Sequence, residues 1–201
     1  MKVVLILLAI LTYMIAVIFL KRYRKWLLYY LVATFGFTLI TVFGARYLGL
    51  EKELESIEVF LVQKVSHLLG LNAKSIESSV LEVSSSQGIS LLRVNIECSA
   101  LIEMAVLTGL VLFYPAFRIR RRILTLSFGL IFTFFVNIIR IEIIALMLHF
   151  SGMEALFWAH AVVARLFFFL TVIFFYWFLL TKPSLRESAK IVKIRSSQPN
   201  S

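Results

Sequence analysis

Three observations predict an all-α integral membrane protein, a bundle of about five transmembrane helices with a small extracytoplasmic amphipathic helix and β-hairpin. Of the 201 residues, 61% are hydrophobic, and the mean hydropathy of +0.94 lies far above that of soluble domains. Five apolar runs are each long enough to cross a hydrocarbon core of about 30 Å at about 1.5 Å per residue. Between the second and third runs lies a single long polar segment, Arg46 to Glu97. The runs are continuously apolar, not alternating, which excludes a closed β-barrel.

The first span runs from Lys2 to Leu20 and the second from Trp26 to Ala45, so residues 1–45 form one membrane unit. The first is too long for a signal-peptide core and is followed by KRYRK, not by small residues at a cleavage site, so it is expected to stay attached. Residues 46–97 form the outer unit. In EKELESIEVFLVQKVSHLLGL, Leu54, Ile57, Leu61, Val65 and Leu68 recur at helical spacing, which predicts an amphipathic helix lying on the membrane or covering the mouth of the bundle. His67 falls at its polar edge. In VLEVSSSQGISLLRVNIE, Leu81 and Val83, then Leu92, Val94 and Ile96, alternate with polar residues around SSSQG. That pattern predicts a hairpin whose second strand feeds into Cys98.

Residues 98–181 carry the third, fourth and fifth spans, Cys98 to Phe117, Ile123 to Leu148 and Ala155 to Leu180. A tail, residues 182–201, follows, where Pro183 breaks the helix and basic residues lie near anionic lipid head groups.

Orientation follows from the basic residues. Lys21, Arg22, Arg24 and Lys25 follow span one, Arg118, Arg120, Arg121 and Arg122 follow span three, and Lys182, Arg186, Lys190, Lys193 and Arg195 follow span five. With five spans these clusters share the cytoplasmic side, which places the N-terminus outside, the C-terminus in the cytoplasm and the mildly acidic outer unit, seven Glu against five Lys or Arg, beyond the plasma membrane. The positive-inside pattern accounts for the net charge of +10 without a polyanion, so no nucleic-acid partner is expected. No Cys pair, no His at ligand spacing and no Gly-rich phosphate loop occurs, so no metal or other cofactor is expected.

The chemistry turns on depth. Cys98, the single cysteine, opens span three at its outer end. Arg140 lies 17 residues into span four, about 26 Å across at the helical rise and hence near the outer interface. Asn137 is on the same helix face. His160 falls about one turn into span five. A thiol is mostly protonated at neutral pH, so a nucleophilic Cys needs a base or a nearby cation. His160 can exchange the proton, Arg140 can hold a thiolate or an oxyanion, and Asn137 can orient either partner.

Glu103 and Arg165 each sit five residues deeper than Cys98 and His160, so they share a depth at which they can form a buried pair that aligns spans three and five. With Ser99 and Asn137 they complete the supporting set. Glu142 and His149 share the opposite face of span four, which leaves His149 as the second-choice imidazole. Glu97 disfavours a thiolate if close to it, and is expected to point away or to meet Arg93 or Arg140.

The order of Cys at a span start (ECSALIE), Asn-x-x-Arg in the next span (NIIRI) and His in the one after (WAHAV) resembles the exosortase/archaeosortase family of membrane cysteine transpeptidases. The small size is similar to the G-type exosortases of Gram-positive bacteria. The resemblance implies an enzyme that cleaves a C-terminal sorting signal of exported proteins on the outer face and transfers the new C-terminus to an amine acceptor in the lipid or envelope. Carried over residue by residue, Cys98 is the nucleophile, Arg140 the thiolate or oxyanion partner and His160 the general acid and base. The likeness covers roughly Val80 to Leu180. Ala100 stands where relatives often have Gly, and many relatives have about eight spans. The alternative reading is a non-catalytic small transporter or assembly factor for surface polymer export, with Glu103, Arg140 and Arg165 as its polar pathway.

Overall fold

The computed structural model describes residues 2–181 apart from 86, 87 and 116, and side chains from 10 to 179. The basic tail from Lys182 onward and the Ser86–Gln87 tip of the expected hairpin lie outside the described residues.

Two long helices open the chain, α1 (Lys2–Arg22) and α2 (Trp26–Tyr47). They are tied by the Tyr13 hydroxyl, which donates to the Ala33 carbonyl at 2.7 Å. The polar segment follows: α3 (Leu50–Leu68), then β1 (Ala73–Glu77), β2 (Val80–Ser85) and β3 (Gly88–Arg93). A turn through residues 96–98 leads to α4 (Leu101–Phe113) and α5 (Ile119–Ser151). After Gly152, whose φ of +66° turns the chain back, come a 3-10 turn (Met153–Ala155), a π-helical stretch (Trp158–Val163), α6 (Ala164–Tyr176) and a second π-helical stretch (Trp177–Thr181).

Among the described residues, three helices are long and apolar enough to cross a membrane: Trp26–Tyr47, Ile119–Ser151 and Met153–Leu179. The expected third span is shorter than Cys98 to Phe117. Its helical part is the 13 residues of α4, because residues 95–100 are spent on the turn at Cys98 and the chain leaves the helix before Pro115.

The membrane helices meet through small residues, as they must where lipid supplies no hydrophobic drive. Gly109 of α4 lies against the Thr34 backbone of α2, where a Cβ would meet the Thr34 carbonyl at 3.2 Å. Gly129 of α5 receives Leu107, which a Cβ would meet at 2.6 Å. At the end of α4 remote from Cys98, Arg122 donates to the carbonyls of Tyr114 and Phe117 at 3.2 and 3.4 Å and closes the turn between α4 and α5.

The expected hairpin is two-thirds of an antiparallel sheet of order β1-β2-β3. Leu81, Val83, Leu92 and Val94 are buried as their alternation predicts, and Ile96 is half-buried. The missed strand, AKSIE, has a single apolar β-branched residue and a bulge between Ser75 and Glu77, so it lacks the alternating signature.

The amphipathic helix exists, but its buried face differs from the expected one. Glu55, Glu58, Val59, Val62 and Ser66 are buried, while Ile57 and Leu68 are exposed. At 3.6 residues per turn the buried stripe is rotated by roughly a third of a turn. Packing against protein selected the face that carries hydrogen-bonding groups; of the expected stripe, Leu54, Leu61 and Val65 are half-buried, with Leu61 and Val65 against the core, and Ile57 and Leu68 face outward. Ser66 donates to both Glu142 carboxylate oxygens at 2.9 Å, and His149 Nδ1 lies 2.7 Å from the Ser84 carbonyl. Glu142 and His149 therefore fasten α3 and the sheet to α5. His67, as expected, is exposed.

Candidate active site

Cys98 occupies the turn that joins the sheet to α4 and is almost fully buried, at 2% exposure. Asn95 shapes this turn. Its carbonyl accepts from the Cys98 and Ser99 amides, both at 2.8 Å, and its side-chain oxygen accepts from the Cys98 amide at 3.2 Å. Asn is suited to such a turn because its short side chain can bond to nearby backbone. The fully buried Ser99 adds a hydroxyl donated to the Ile96 carbonyl at 3.3 Å, so it serves the turn.

The Cys98 Sγ lies 3.4 Å from His160 Nδ1 and 3.8 Å from Nε2. His160 is half-buried and stands in the π-helical stretch Trp158–Val163. Such widened turns recur at functional sites because they redirect a side chain that a regular α-helix would aim elsewhere. The thiol and the imidazole, 62 residues apart in sequence, are in direct contact.

Asn137, fully buried on α5, donates its amide to the Cys98 carbonyl at 2.8 Å and to Glu58 Oε1 at 3.1 Å. Glu58 Oε1 also accepts from the Ala100 amide at 2.9 Å. Glu58 thus reaches down from α3 and holds both the residue that positions the Cys98 carbonyl and the backbone two residues beyond the thiol. Burial pushes its carboxyl up to about 7; the Ala100 and Asn137 donors counteract this and the neighbouring Glu103 and Glu55 reinforce it. The sequence offers little signal for Glu58, since in an amphipathic helix a Glu reads as part of the solvated face.

Arg140 lies one helical turn beyond Asn137, is 3% exposed, and donates through Nη2 to the Glu97 carbonyl at 3.3 Å. Its guanidinium carbon stands 5.1 Å from the Phe168 ring centre, a cation–π arrangement suited to a desolvated charge. Among the described residues no hydrogen bond joins Arg140 to Cys98 or His160, and its buried Nε has no partner. The Glu97 side chain is exposed, so it is the backbone of Glu97, not its carboxylate, that meets Arg140.

Beside Arg140 a cleft of about 340 Å3 opens between α4 and α6. Glu97, Glu103, Arg140 and Arg165 line it together with apolar side chains such as Val106 and Phe168. Glu103 and Arg165 share this cleft but form no ion pair; among the described residues the ion pair is Arg46–Glu51 at 3.8 Å. Arg165 is exposed, with a stem long enough to keep its charge at the rim. The Tyr176 hydroxyl donates to the Glu103 carbonyl at 3.4 Å.

No curated protein and no solved structure matches the chain. The model of the family described as transmembrane exosortase (Exosortase_EpsH) matches residues 2–178. The match takes in the first two helices, which a likeness confined to Val80–Leu180 left outside. Its extent shows that this multi-pass membrane protein belongs to the transmembrane exosortase family, which processes C-terminal sorting signals of exported proteins.

Proposed function

We propose that the chain is a membrane cysteine transpeptidase in which Cys98 is the nucleophile and His160 its general acid and base. The observation that carries this reading is the 3.4 Å contact between Sγ and Nδ1 of residues brought together from distant parts of the chain. With its ring proton on Nε2, His160 takes the thiol proton at Nδ1. The thiolate attacks the scissile carbonyl carbon. The tetrahedral intermediate collapses by breaking the C–N bond, and His160 returns the proton to the leaving amine, which leaves a thioester on Cys98. An acceptor amine attacks the thioester carbonyl, gives up a proton to His160 and forms the new amide as the thiolate leaves and is reprotonated. Arg140, which lines the cleft and has a buried, unpartnered Nε, supplies the positive charge for the thiolate or the oxyanion. Asn137 and Ser99 hold the turn, and Glu103 and Arg165 line the route by which a membrane-borne substrate enters sideways.

In this reading five helices cross the plasma membrane with the N-terminus outside and the C-terminus in the cytoplasm. The units 1–45, 46–97, 98–181 and 182–201 act as anchor, outer cover, catalytic bundle and tail. The substrate is an exported protein with a hydrophobic C-terminal signal, and the acceptor is an amine of the lipid or envelope. Having Glu103, Arg140 and Arg165 in one cleft is the feature that favours the transport or assembly alternative. The two readings part at Cys98→Ser. In cells, the transpeptidase reading requires this variant to leave exported proteins with their C-terminal spans uncleaved; normal processing with Cys98→Ser would sink it.

A further inference from the structure

The strand that leads into the nucleophile is the free edge of its sheet. β3 pairs with β2 on one side, and among the described residues no hydrogen bond reaches its other side. The antiparallel register fixes which backbone groups face outward. Val94 N–H donates to the Ser79 carbonyl at 2.8 Å, so Ser79 and Val94 are a hydrogen-bonded pair. Alternation along the register then makes Leu81–Leu92 and Val83–Ser90 hydrogen-bonded pairs and leaves Val80–Arg93, Glu82–Leu91 and Ser84–Ile89 as non-hydrogen-bonded pairs. The N–H and C=O groups of Ile89, Leu91 and Arg93 therefore point away from β2. Their side chains share the exposed face of the strand, at 68% for Ile89 and 51% for Leu91. A free row of backbone groups is a template for another strand. The opposite edge, β1, lies next to α3 and is interrupted by its bulge.

From these placements we infer that β3 is the substrate-docking edge: an extended peptide segment just upstream of the scissile bond pairs with the outward backbone of Ile89, Leu91 and Arg93 and is delivered to Cys98. This rests on the transpeptidase reading and adds to it the part of the substrate that is recognised and the way it is held. Direction follows from topology. The hydrophobic span of the substrate comes after the scissile bond, so its chain runs from the aqueous side toward the bilayer as it nears the thiol. β3 runs the same way, from Gly88 to Arg93 and then through Val94 to Cys98. The added strand is therefore parallel to β3. Backbone pairing supplies affinity with little sequence demand, while alternate substrate side chains meet Ile89, Leu91 and Arg93 and supply the selectivity. Beyond Arg93 the pattern stops by itself, because the outward carbonyl of Asn95 is taken by the Cys98 and Ser99 amides. The peptide is released from the edge where the chemistry begins.

The test uses the full chain in its native cells in a Cys98→Ala background, which holds exported precursors uncleaved. Benzoylphenylalanine is placed at Ile89 or Leu91, or at Ile76 on β1 as the comparison site, which is exposed to 53%. The expected result is a photo-crosslink from 89 and 91, but not from 76, to an uncleaved precursor at residues immediately before its hydrophobic span. Precursors that accumulate but crosslink equally from 76, or within the span, overturn the edge proposal and leave the enzymatic reading standing. Crosslinks between two copies of this chain overturn it in favour of edge-to-edge dimers. If no precursor accumulates, the enzymatic reading falls and the docking edge falls with it. A second variant needs no crosslinker. In an otherwise wild-type chain, Leu91→Pro removes one outward N–H without touching the β2 ladder, and is expected to lower processing about five- to tenfold while iodoacetamide still labels Cys98 at the wild-type rate. Unchanged processing with Leu91→Pro overturns the proposal.

Discussion

Glu58 and Asn137 are joined by a 3.1 Å hydrogen bond across 79 residues of sequence. Through it the amphipathic helix α3 and the long apolar helix α5 grip the Cys98 turn from two sides, since Glu58 also holds the Ala100 amide and Asn137 the Cys98 carbonyl. Cys98 is thus fixed by its backbone, which leaves its side chain free to meet His160.

Removing the carboxyl should be costly, and replacing it by an amide mild. Glu58→Ala leaves the Ala100 N–H and one Asn137 donor buried without an acceptor, a loss of about 2–3 kcal/mol. Glu58→Gln keeps an acceptor oxygen. Thermal unfolding in nanodiscs should rank wild type near Glu58→Gln and well above Glu58→Ala; equal stability of all three would show that the clamp is idle.

The same residue sets a pH dependence. Its carboxyl is raised from 4.5 to about 7 in the fold, so the unfolded chain ionises it first. Stability from this group is fully present below pH 4.5, falls as pH rises toward 7, and is lost above that, a change of about 3 kcal/mol. In Glu58→Gln that part of the pH dependence should vanish. A parallel pH profile for the two proteins would contradict the assignment.

Iodoacetamide labelling of Cys98 across pH 5 to 9 tests the thiol and imidazole pair. His160→Ala should slow labelling at neutral pH by about ten- to a hundredfold, a magnitude in keeping with loss of a positioned base. If the variant labels as fast as wild type, the contact has no chemical consequence.

Arg140→Lys should rescue little of what Arg140→Ala removes. The planar guanidinium both donates to the Glu97 carbonyl and lies over Phe168, and a compact ammonium on a shorter reach does not make the two contacts together. Processing of exported proteins in cells is the readout, and full activity of the Lys variant would show that charge alone suffices.

Gly109→Leu should separate α2 from α4 without altering the Cys98–His160 contact, because Gly109 abuts the Thr34 backbone and that backbone cannot yield. A lowered unfolding temperature with near-normal iodoacetamide labelling is expected. Loss of labelling instead would mean that the first two helices set the geometry of the site.

Much of this arrangement was legible in the sequence because depth in a membrane can be counted. Cys98 at a span start and His160 one turn into another had to arrive at one layer if both helices crossed, and they touch. Counting along spans says nothing about what comes down from above, so Glu58 was hidden among the acidic residues of α3. The rotated face of that helix has the same origin. Periodicity selects the most apolar stripe, whereas the site needed buried acceptors. The Glu103–Arg165 pair failed for a related reason: equal depth brought both to one cleft but did not fix their azimuth, and Arg165 points outward. AKSIE was too polar and too short to announce a strand.

The π-helical stretch around His160 also bears on how this chain tolerates change in length. A widened turn holds one residue more than the α-helix on either side of it. Deleting a single residue between Trp158 and Val163 would let the segment relax to ordinary α-helix with both flanks kept in phase, so that only the side chains inside the turn are re-aimed. His160 would swing away from Cys98, yet the span would remain long and apolar enough to insert. The deletion would leave a protein that reaches the membrane and lacks its imidazole, so indels here are filtered by activity and not by folding.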